Sequence, residues 1–226
     1  MSLILHLECS NLKYSVALSE GIKLLCFEES NERNPIRDLI GMIRSLFHQS
    51  NSNLSDCKAI SIDIGPGSYT SLRSGLSIAK GLAFSLTIPI IALPLSYILV
   101  KSVLNLNPDD SVITCIDSRN DEALFTAYNS NYEFLISDSM PKTSFSQWSF
   151  LTQKVKKLAL VGENLDFLDT QNIDYEVIKY KSIPNAESLV LPAWEYYQTQ
   201  KFADTRTLVP IYFKDPNITI SKKILT

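Results

Sequence analysis

The sequence contains few of the residues that build metal and redox centres. None of its four cysteines belongs to a Cys-x-x-Cys pair, so the local spacing of a zinc knuckle or a dithiol redox centre is missing. The two histidines, His6 and His48, are too far apart in sequence for a paired-histidine metal site on one helix. We predict that the cysteines are reduced thiols of the hydrophobic core, as in a cytosolic protein, and that both histidines are structural.

An excess of charge of one sign is also missing. The 226 residues include 21 basic and 24 acidic side chains, which gives a formal net charge of -3. A chain of this balance is not expected to bind nucleic acid through its bulk charge.

Membrane and targeting signals are lacking as well. Met1–His6 carries no basic segment before its apolar run, so we do not expect a secretory signal. The uncharged stretch Leu82–Val100 is long enough to span a bilayer. However, Pro89 and Pro94 would each break a spanning helix, and a helix end, a buried strand and a new helix explain the same residues. We therefore expect a cytoplasmic protein without a membrane span.

Short catalytic motifs are absent too. The sequence has no Gly-x-Ser-x-Gly nucleophile elbow, no Gly-Lys-Ser/Thr phosphate loop and no Gly-x-Gly-x-x-Gly fingerprint. No cysteine and histidine lie close together in the sequence. Function must therefore be argued from the patterns that are present.

Hydrophobic patterning predicts a first lobe of strands and helices. A helix begins after Asn34-Pro35, and the alternating strand Ala59–Ile64 leads through a glycine-rich loop into a second helix near Thr70. That helix ends before Pro89, and a third helix follows Pro94. The remaining predicted strands of this lobe are Leu3–Glu8, Tyr14–Leu18, Ile22–Phe27 and Ile88–Ala92.

The polar segment Asn105–Asp110 is the predicted boundary between a lobe of residues 1–106 and a lobe of residues 107–226. Beyond it the same theme partly restarts, which predicts an α/β protein of two related lobes. The predicted strands are Val112–Ile116, Leu124–Tyr128, Tyr132–Ile136 and Leu158–Val161, and the predicted helices are Phe145–Leu151 and Ala186–Tyr197. We expect a loosely held tail after Lys214.

The loop Gly65–Thr70 joins a predicted strand to a predicted helix. Glycines there allow positive φ and close backbone approach, and the N-terminus of a helix attracts anions. Two interpretations fit: a phosphate site assisted by Arg73, or a tight connection in which Arg73 makes a structural ion pair.

Two stripes of small residues run along the second helix. They are Ser71, Gly75, Ala79 and Ala83 in one stripe, and Ser74, Ser77, Gly81 and Ser85 in the other. This spacing lets two backbones approach closely, and each interior glycine costs about 1 kcal/mol relative to alanine. The close neighbour is either the chain's own sheet or a helix of another chain.

Three carboxylates stand out near strand ends: Glu8, Asp63 and Asp117. Glu8 ends the first strand of the first lobe, and Asp117 ends the first strand of the second lobe. In two related lobes these ends face a shared cleft, or else the carboxylates cap the turns that follow.

One block of residues resembles the signature of a known family. Gly65–Gly75 (GPGSYTSLRSG), followed by Ala79–Ala83, is similar to the glycine-rich segment of the bacterial threonylcarbamoyladenosine-biosynthesis accessory subunit (TsaB, formerly YeaZ). The softer matches are Ile116–Arg119 with Glu122, which resembles that family's I-D-A-R…E segment, Pro210–Lys214, which resembles its P-x-Y-L-R ending, and Leu3–Leu18, which resembles its first hairpin.

The resemblance implies the two-lobed actin-like, sugar-kinase-like (ribonuclease-H-like) fold, with mixed sheets flanked by helices. It also implies a non-catalytic accessory role beside a larger catalytic paralogue (TsaD-like), which transfers the threonylcarbamoyl group to the adenosine next to the anticodon of transfer RNA. A small ATPase (TsaE-like) completes the assembly. No intrinsic cofactor or metal is implied, since ATP and magnesium serve the wider complex. The first-lobe helices would build a homodimer of the chain alone, or a heterodimer with the paralogue.

We expect the partner to cover the helices Pro35–Gln49 and Thr70–Thr87. The expected residues of the interface and the glycine-rich loop are Gly65, Pro66, Gly67, Ser68, Thr70, Leu72, Arg73, Gly75, Leu76, Ala79, Ala83, Ile36, Ile40, Ile43 and Phe47. Glu8 and Asp117 would be remnants of a nucleotide cleft. Transfer RNA is expected to be reached only through the complex, and the basic cluster Lys154, Lys156 and Lys157 is expected to be a solvated face.

Two rival functions stay open at this stage. An ATP-binding phosphotransferase or ATPase would hold nucleotide between Glu8, Gly65–Thr70 and Asp117, with magnesium. A peptidase would need a nucleophile and a base, and the sequence shows no such pair close together.

Four positions depart from the family pattern: Ser71 replaces the usual glycine, Ser74 an isoleucine, Glu8 an aspartate and Ser118 an alanine. These positions lie on the matched motifs. Partner choice or dimer geometry is therefore expected to be where this chain differs from its relatives.

Overall fold

A computed structural model of the chain describes residues 2–11, 13–30, 36–103, 105–118, 121–142, 144, 156–167 and 176–212. The start of the first predicted helix at Asn34-Pro35, Arg119, the predicted helix Phe145–Leu151, Lys154 and the tail after Lys214 lie outside these residues. The side chain of Ile36 is also outside the description.

The first half of the chain forms a five-stranded sheet with helices on it. In chain order, the elements are β1 Leu3–Glu8, β2 Ser15–Glu20, β3 Lys23–Glu29, α1 Ile36–Gln49, β4 Cys57–Asp63, α2 Tyr69–Leu86, β5 Ile90–Leu93 and α3 Leu95–Val100. α2 ends because Thr87 adopts the left-handed conformation (φ 55°) and Pro89 cannot continue a helix.

The second half repeats the plan. Its elements are β6 Asp110–Asp117, β7 Glu122–Asn129, β8 Phe134–Pro141, β9 Lys157–Gly162 and β10 Glu176–Lys181, followed by a 3-10 turn at Ala186–Leu189 and α4 Val190–Gln198. β8 begins two residues later than predicted, because Tyr132 lies in a turn with φ 62°.

The two sheets have the same strand order. It is β3-β2-β1-β4-β5 in the first sheet and β8-β7-β6-β9-β10 in the second. In each sheet the first three strands along the chain pair antiparallel, and the last two are added in parallel. This repeated mixed sheet confirms the predicted two-lobed α/β fold.

The hydrophobic core occupies both faces of the first sheet. One face of β1, with Leu3, Leu5 and Leu7, packs under α1 and α2. The opposite face, with Ile4, joins a cluster that includes Val112 and other side chains of the second sheet, together with α3 and α4. All six residues of β1 are buried as a result.

The end of the described chain returns to the first sheet. The Ala186 amide donates to Ser15 Oγ (2.9 Å), Ala203 bridges to Ile90, and the Ile211 amide donates to the Ile64 carbonyl (2.7 Å). The predicted boundary at residue 106 therefore separates the two sheets, but the packing of the two lobes crosses it.

The uncharged stretch 82–100 contains the end of α2, then β5 and α3, so the helix–strand–helix interpretation is confirmed. Among the described residues, no helix is long and apolar enough to cross a bilayer. The four cysteines are free thiols, and Cys26 alone among them is only half-buried.

Candidate functional site

The glycine-rich loop after β4 is packed tightly against its own chain. Gly65 has φ 93°, and a Cβ on it would lie 2.7 Å from Leu72 Cδ1. A Cβ on Gly67 would lie 2.6 Å from the Cβ of Ser10, in the turn that follows β1. Both glycines are thus required by local geometry, the first by conformation and the second by close approach.

Hydrogen bonds fasten this loop on three sides. The Ser68 amide donates to the Ser10 carbonyl (3.0 Å), the Leu95 amide donates to the Gly65 carbonyl (2.8 Å), and Ile211 is bonded to Ile64 beside it. An amide that an anion would need is therefore used within the chain. The geometry supports the tight connection and gives no support to the phosphate site.

Arg73 makes no ion pair with the described residues. Its guanidinium lies 4.0 Å from the ring centroid of Tyr69, and its Nε donates to the hydroxyl of Tyr212 (3.2 Å). The two tyrosine rings are 5.0 Å apart. Arg73 thus joins the start of α2 to the end of the described chain through a cation–π contact and a hydrogen bond.

The inner face of α2 packs on the chain's own sheet. Gly75, Ala79 and Ala83 are buried together with Leu72 and Leu76. A Cβ on Gly75 would lie 2.5 Å from the sulfur of Cys9, next to β1. The prediction that Gly75, Ala79 and Ala83 admit another chain is therefore wrong, because this stripe is needed for the helix to approach β1 and β4.

Two predicted interface residues of α1 also face inward. Ile43 is 4% exposed and Phe47 is 6% exposed, and both belong to the core between α1 and the first sheet. Ile40, by contrast, is 45% exposed. A spacing of three and four places these residues near one face of the helix, but it does not say where the buried arc of that face ends.

The outer face of α2 carries the second stripe of small residues. A Cβ on Gly81 would meet no atom within 4 Å, and Phe84 is 86% exposed. The hydroxyl of Ser74 donates to the Thr70 carbonyl (2.8 Å), and that of Ser77 donates to the Arg73 carbonyl (2.7 Å). These hydroxyls are satisfied within the helix, so covering this face would leave them paired.

α1 packs on the same face of the first sheet as α2 and also exposes a glycine on its outer side. Gly41 also has open space around the position of a Cβ, and Ile40 stands beside it. We call Ile40, Gly41, Ser77, Gly81 and Phe84 the outer helix face. The sequence analysis named Ile40 and Gly81 but missed Phe84. Leu72 and Leu76, one turn apart beside Gly75, are the signal in the sequence that could have distinguished the buried face of α2 from its exposed face.

A pair of buried carboxyl groups ends β1 and β4. Glu8 and Asp63 are each 1% exposed. Glu8 Oε1 accepts hydrogen bonds from the Ser10 amide (2.8 Å), the Ser10 hydroxyl and the Asn11 side chain (3.2 Å). Asp63 Oδ1 accepts from the Cys9 amide (2.7 Å). We call Glu8 and Asp63 the carboxyl pair, and it organises the turn at residues 9–11.

Burial raises the pKa of both members of the carboxyl pair. Loss of hydration, followed by repulsion from Asp63, raises the pKa of Glu8 to about 8, although bonds from Ser10 and Asn11 oppose the shift. Loss of hydration raises the pKa of Asp63 to about 7, against the opposing bond from Cys9. The pair therefore holds protons at a pH where exposed carboxyls are ionised.

Asp117 has different surroundings from Glu8. It is exposed, and its Oδ1 lies 2.8 Å from Lys142 Nζ. It lines an open groove of about 620 Å³ with residues of the second sheet, among them Glu163 and Lys181. Glu8 does not line this groove, so the structure does not bring the two predicted cleft residues together.

A serine–histidine contact that the sequence concealed lies inside the first sheet. His6 Nδ1 is 2.6 Å from Ser61 Oγ, and Nε2 is 2.8 Å from Ser19 Oγ. None of the three side chains has exposed surface, and burial lowers the pKa of His6 to about 3. The pair has nucleophile–base geometry but no access for a substrate, so it gives no support to a peptidase.

Two of the departures from the family pattern have local explanations. Burial raises the pKa of the Tyr14 phenol, and the side chain of Ser71 beside it opposes that shift. Ser74 is bonded within α2, as described above. Within the described segments, no group of three or more histidine, cysteine, aspartate or glutamate side chains is arranged to hold a metal ion.

Comparison with known proteins identifies relatives over most of the chain. Residues 29–222 match the family model described as TsaD: tRNA N6-adenosine threonylcarbamoyltransferase. The tRNA threonylcarbamoyladenosine biosynthesis protein TsaB of Buchnera aphidicola subsp. Acyrthosiphon pisum is 24% identical over 193 residues, which are 84% of this chain and 87% of the relative. The TsaB of Haemophilus influenzae is 29% identical over 123 residues, 54% of this chain and 52% of the relative.

Matches to the transferases themselves are shorter. The tRNA N6-adenosine threonylcarbamoyltransferase of Syntrophus aciditrophicus is 38% identical over 65 residues, 29% of this chain and 19% of the relative. Among solved structures, YeaZ from Pseudomonas aeruginosa superposes with a TM-score of 0.75 at 22% identity, covering 94% of this chain and 100% of that one. The predicted fold is confirmed by this superposition.

Proposed function

The chain belongs to the family described as TsaD, tRNA N6-adenosine threonylcarbamoyltransferase, and from that premise we propose that it is a TsaB-type accessory subunit of the machinery that makes threonylcarbamoyladenosine in transfer RNA. The chain matches a TsaB protein over most of the length of that protein, whereas its match to a transferase covers only about a fifth of the transferase. This contrast supports an accessory subunit rather than a catalytic one.

The single observation that carries an accessory role is the outer helix face. Phe84 is the most exposed large hydrophobic side chain of the described residues, at 86%, and it stands one turn from Gly81, which has open space around it. Exposed apolar side chains that are grouped on one surface mark interaction sites, and Ile40 of α1 adds to Phe84 on this face. Gly41 and Gly81 let a partner helix come close to both α1 and α2. The proposed partner is a catalytic paralogue of the transferase type, with a second copy of the chain taking its place when the chain is alone.

Burial of apolar surface would supply the binding energy. At about 25 cal/mol per Å² of apolar area, Phe84 and Ile40 are the main contributors on this face. Area alone does not set affinity, so the glycines matter as well, because they allow close contact without strain in either helix.

The further partners follow from the same proposal. A small ATPase would complete the assembly, with its ATP and magnesium, and transfer RNA would be reached only through the complex. Such an assembly would work in the cytoplasm, where transfer RNA is modified. This chain would supply no cofactor of its own.

An ATP-binding phosphotransferase is not favoured as an alternative. The glycine-rich loop is occupied by the Ser10 turn, and Glu8 is buried under its own hydrogen bonds. We expect calorimetric titration of the isolated chain with ATP and magnesium to show no binding in the micromolar range.

The test of the interface is Phe84→Ser in the full chain. Loss of a central aromatic anchor typically costs about 2 kcal/mol or more, so we expect binding of the catalytic paralogue to weaken by roughly 30-fold. Thermal unfolding should be unchanged, because the ring is already in water. The matched control is Phe134→Ser, which removes a 62% exposed ring on β8, away from the helices.

Pull-down with the catalytic paralogue and light scattering of the chain alone are the measurements. Equal binding by Phe84→Ser and the wild type would show that the outer helix face is not the interface. Reconstitution of the modification with and without this chain tests the accessory role itself: an equal yield of modified transfer RNA would contradict it.

A further inference from the structure

Among the described residues, no basic side chain balances the carboxyl pair. The charge of Asp63 acts on Glu8, and the charges of both carboxyls act on the Cys9 thiol and the Tyr14 phenol. His6, two residues before Glu8, is bonded to two serines and stays neutral. None of these groups carries a positive charge at neutral pH.

The charged side chains of the neighbouring segments are engaged elsewhere or exposed. Lys13 pairs with Glu29, and Arg73 of α2 lies over the Tyr69 ring. Glu187, in the 3-10 turn that packs on β1, is exposed and of the same sign as the pair. Two ionised carboxylates at this place would therefore be two like charges in a site from which water is excluded.

One oxygen of the pair lacks a donor. Asp63 Oδ2 is buried and accepts no hydrogen bond of normal geometry from the described residues, although the Ser10 hydroxyl and the Gly65 amide partly favour the charged form. A buried acceptor without a donor is costly. Glu8 and Asp63 end adjacent parallel strands, and a carboxyl group that keeps its proton is itself a donor. A proton kept by the pair therefore removes one of the two charges.

We propose that Glu8 and Asp63 share a proton in the folded protein and form a proton-dependent latch on the turn at residues 9–11 and on the glycine-rich loop above it. Release of the proton to solvent leaves two repelling carboxylates under the turn. The inference does not depend on which partner the chain binds.

The latch is connected to the loop by direct contacts. Glu8 holds the amide and hydroxyl of Ser10, and the Ser10 carbonyl accepts from the Ser68 amide. Gly67 lies against Ser10 with no room for a side chain. Two contacts therefore connect the carboxyl pair to the residues at which α2 begins.

The direction of the pH effect follows from the raised pKa of both groups. Because the folded state holds a proton that the unfolded chain gives up near pH 4, this part of the stability is complete below about pH 4. It falls as pH rises from there and is fully lost once pH has passed about 7 to 8. For one group that keeps its proton up to about pH 8 in the folded state, the unfolding equilibrium constant rises about tenfold between pH 7 and pH 9, and most of that rise lies below pH 8.

The experiment is denaturant unfolding of the full chain from pH 6 to pH 9. The unfolding equilibrium constant of wild type should rise with pH. Between pH 7 and pH 9 it should rise by a factor about ten times larger than in Glu8→Gln, in which residue 8 cannot ionise. The control is Asp117→Asn, an exposed and ion-paired carboxylate at the equivalent strand end, which should keep the wild-type slope. Equal slopes for Glu8→Gln and wild type would overturn the proposal.

Infrared spectroscopy of the wild type is a second, independent test of the shared proton, and it needs no variant. A band of a protonated carboxylic acid should be present at pH 6 and should disappear as pH rises through the range given above. Hydrogen exchange, corrected for its intrinsic pH dependence, should speed up over the same range at residues 9–11 and 65–68 before it does in β6 and β7. Absence of the acid band at pH 6 would show that no proton is shared, whether or not Glu8→Gln folds.

Discussion

The two sheets share one strand order, and the ends of their equivalent strands differ in chemistry. β1 ends in Glu8, which is buried with Asp63 at the end of β4. β6 ends in Asp117, which is exposed and paired with Lys142, and its parallel neighbour β9 ends in Gly162. Equivalent positions in a repeated topology thus hold a buried carboxyl pair in one lobe and an open groove in the other.

The difference arises from what covers each sheet edge. Residues 184–211 return to the first sheet, where the Pro184 carbonyl accepts from the Asn11 side chain and the Ile211 amide is bonded beside Gly65. The described residues at the end of β6 have no such cover, and Lys142 reaches Asp117 from the side. Strand order alone therefore does not predict the environment of a strand-end residue.

One property is common to both edges, because each needs a glycine where two segments touch. Gly67 lies against Ser10 in the first lobe, and a Cβ on Gly162 would overlap the carbonyl oxygen of Cys115 in the second. The largest predicted effect tests this common property. We expect Gly162→Ala to lower the free energy of unfolding by about 3 kcal/mol or more, because the obstacle is backbone and cannot turn away.

Denaturant unfolding measures this effect, and Gly81→Ala is the matched control. Gly81 has open space around it in the middle of α2, so alanine there should raise stability by about 1 kcal/mol through helix propensity. If Gly162→Ala is as stable as the wild type, the close approach of β6 and β9 does not require a glycine. The two sheet edges would then not share this requirement.

The second prediction separates the lobes by their response to acid. His6 lies in the first sheet and is buried, and burial lowers its pKa to about 3. In the unfolded chain His6 binds a proton below about pH 6.5, whereas in the folded protein it stays neutral. The stability that comes from the neutral, buried His6 is therefore present above that pH and is lost as pH falls. Between pH 7 and pH 5 the loss from this group is about 2 kcal/mol.

The measurement is unfolding of His6→Gln and of His48→Gln at pH 5 and pH 7. His6→Gln should be less stable at pH 7, because its serine partners lose their matched geometry. On going from pH 7 to pH 5, however, the change in its free energy of unfolding should be about 2 kcal/mol more favourable than the change in wild type, whichever direction the carboxyl pair gives to the wild type. His48 is exposed on α1, and its variant should follow the wild type. A wild-type response in His6→Gln would place the acid sensitivity outside the first sheet.

The smallest predicted effect belongs to the second lobe. Asp117→Asn should change the free energy of unfolding by no more than about 1 kcal/mol, because the Asp117 side chain is 40% exposed and water screens its pair with Lys142. Added salt should reduce the difference further. A larger loss would mean that this edge is as closed as the first, and the comparison of the two lobes would have to be abandoned.

Local patterns predicted most of the fold. Alternation of Ile60 and Ile62 with polar neighbours predicted β4, and Pro89 and Pro94 predicted the break between α2, β5 and α3. These features depend on residues close together in sequence, so a single chain reveals them. The Gly65–Gly75 block also predicted the family, which the comparisons confirm.

The candidate site was predicted only in part. The small residues of α2 were recognised, but the stripe of Gly75 was assigned to a partner, and Phe84 was missed. Small residues occur on both faces of this helix, and only the presence of Cys9 against Gly75 shows which face is already occupied. The carboxyl pair was missed as a pair, because Glu8 and Asp63 are 55 positions apart.

By itself, the sequence determined the two-lobed α/β architecture, the glycine-rich loop and the family, since these depend on hydrophobic period, on turn residues and on a contiguous motif. Only the tertiary structure decided which face of α2 is free, and that Glu8 is buried while Asp117 is exposed. Burial depends on which distant segment covers a residue, and here the segment from residue 184 onward returns to close one sheet edge.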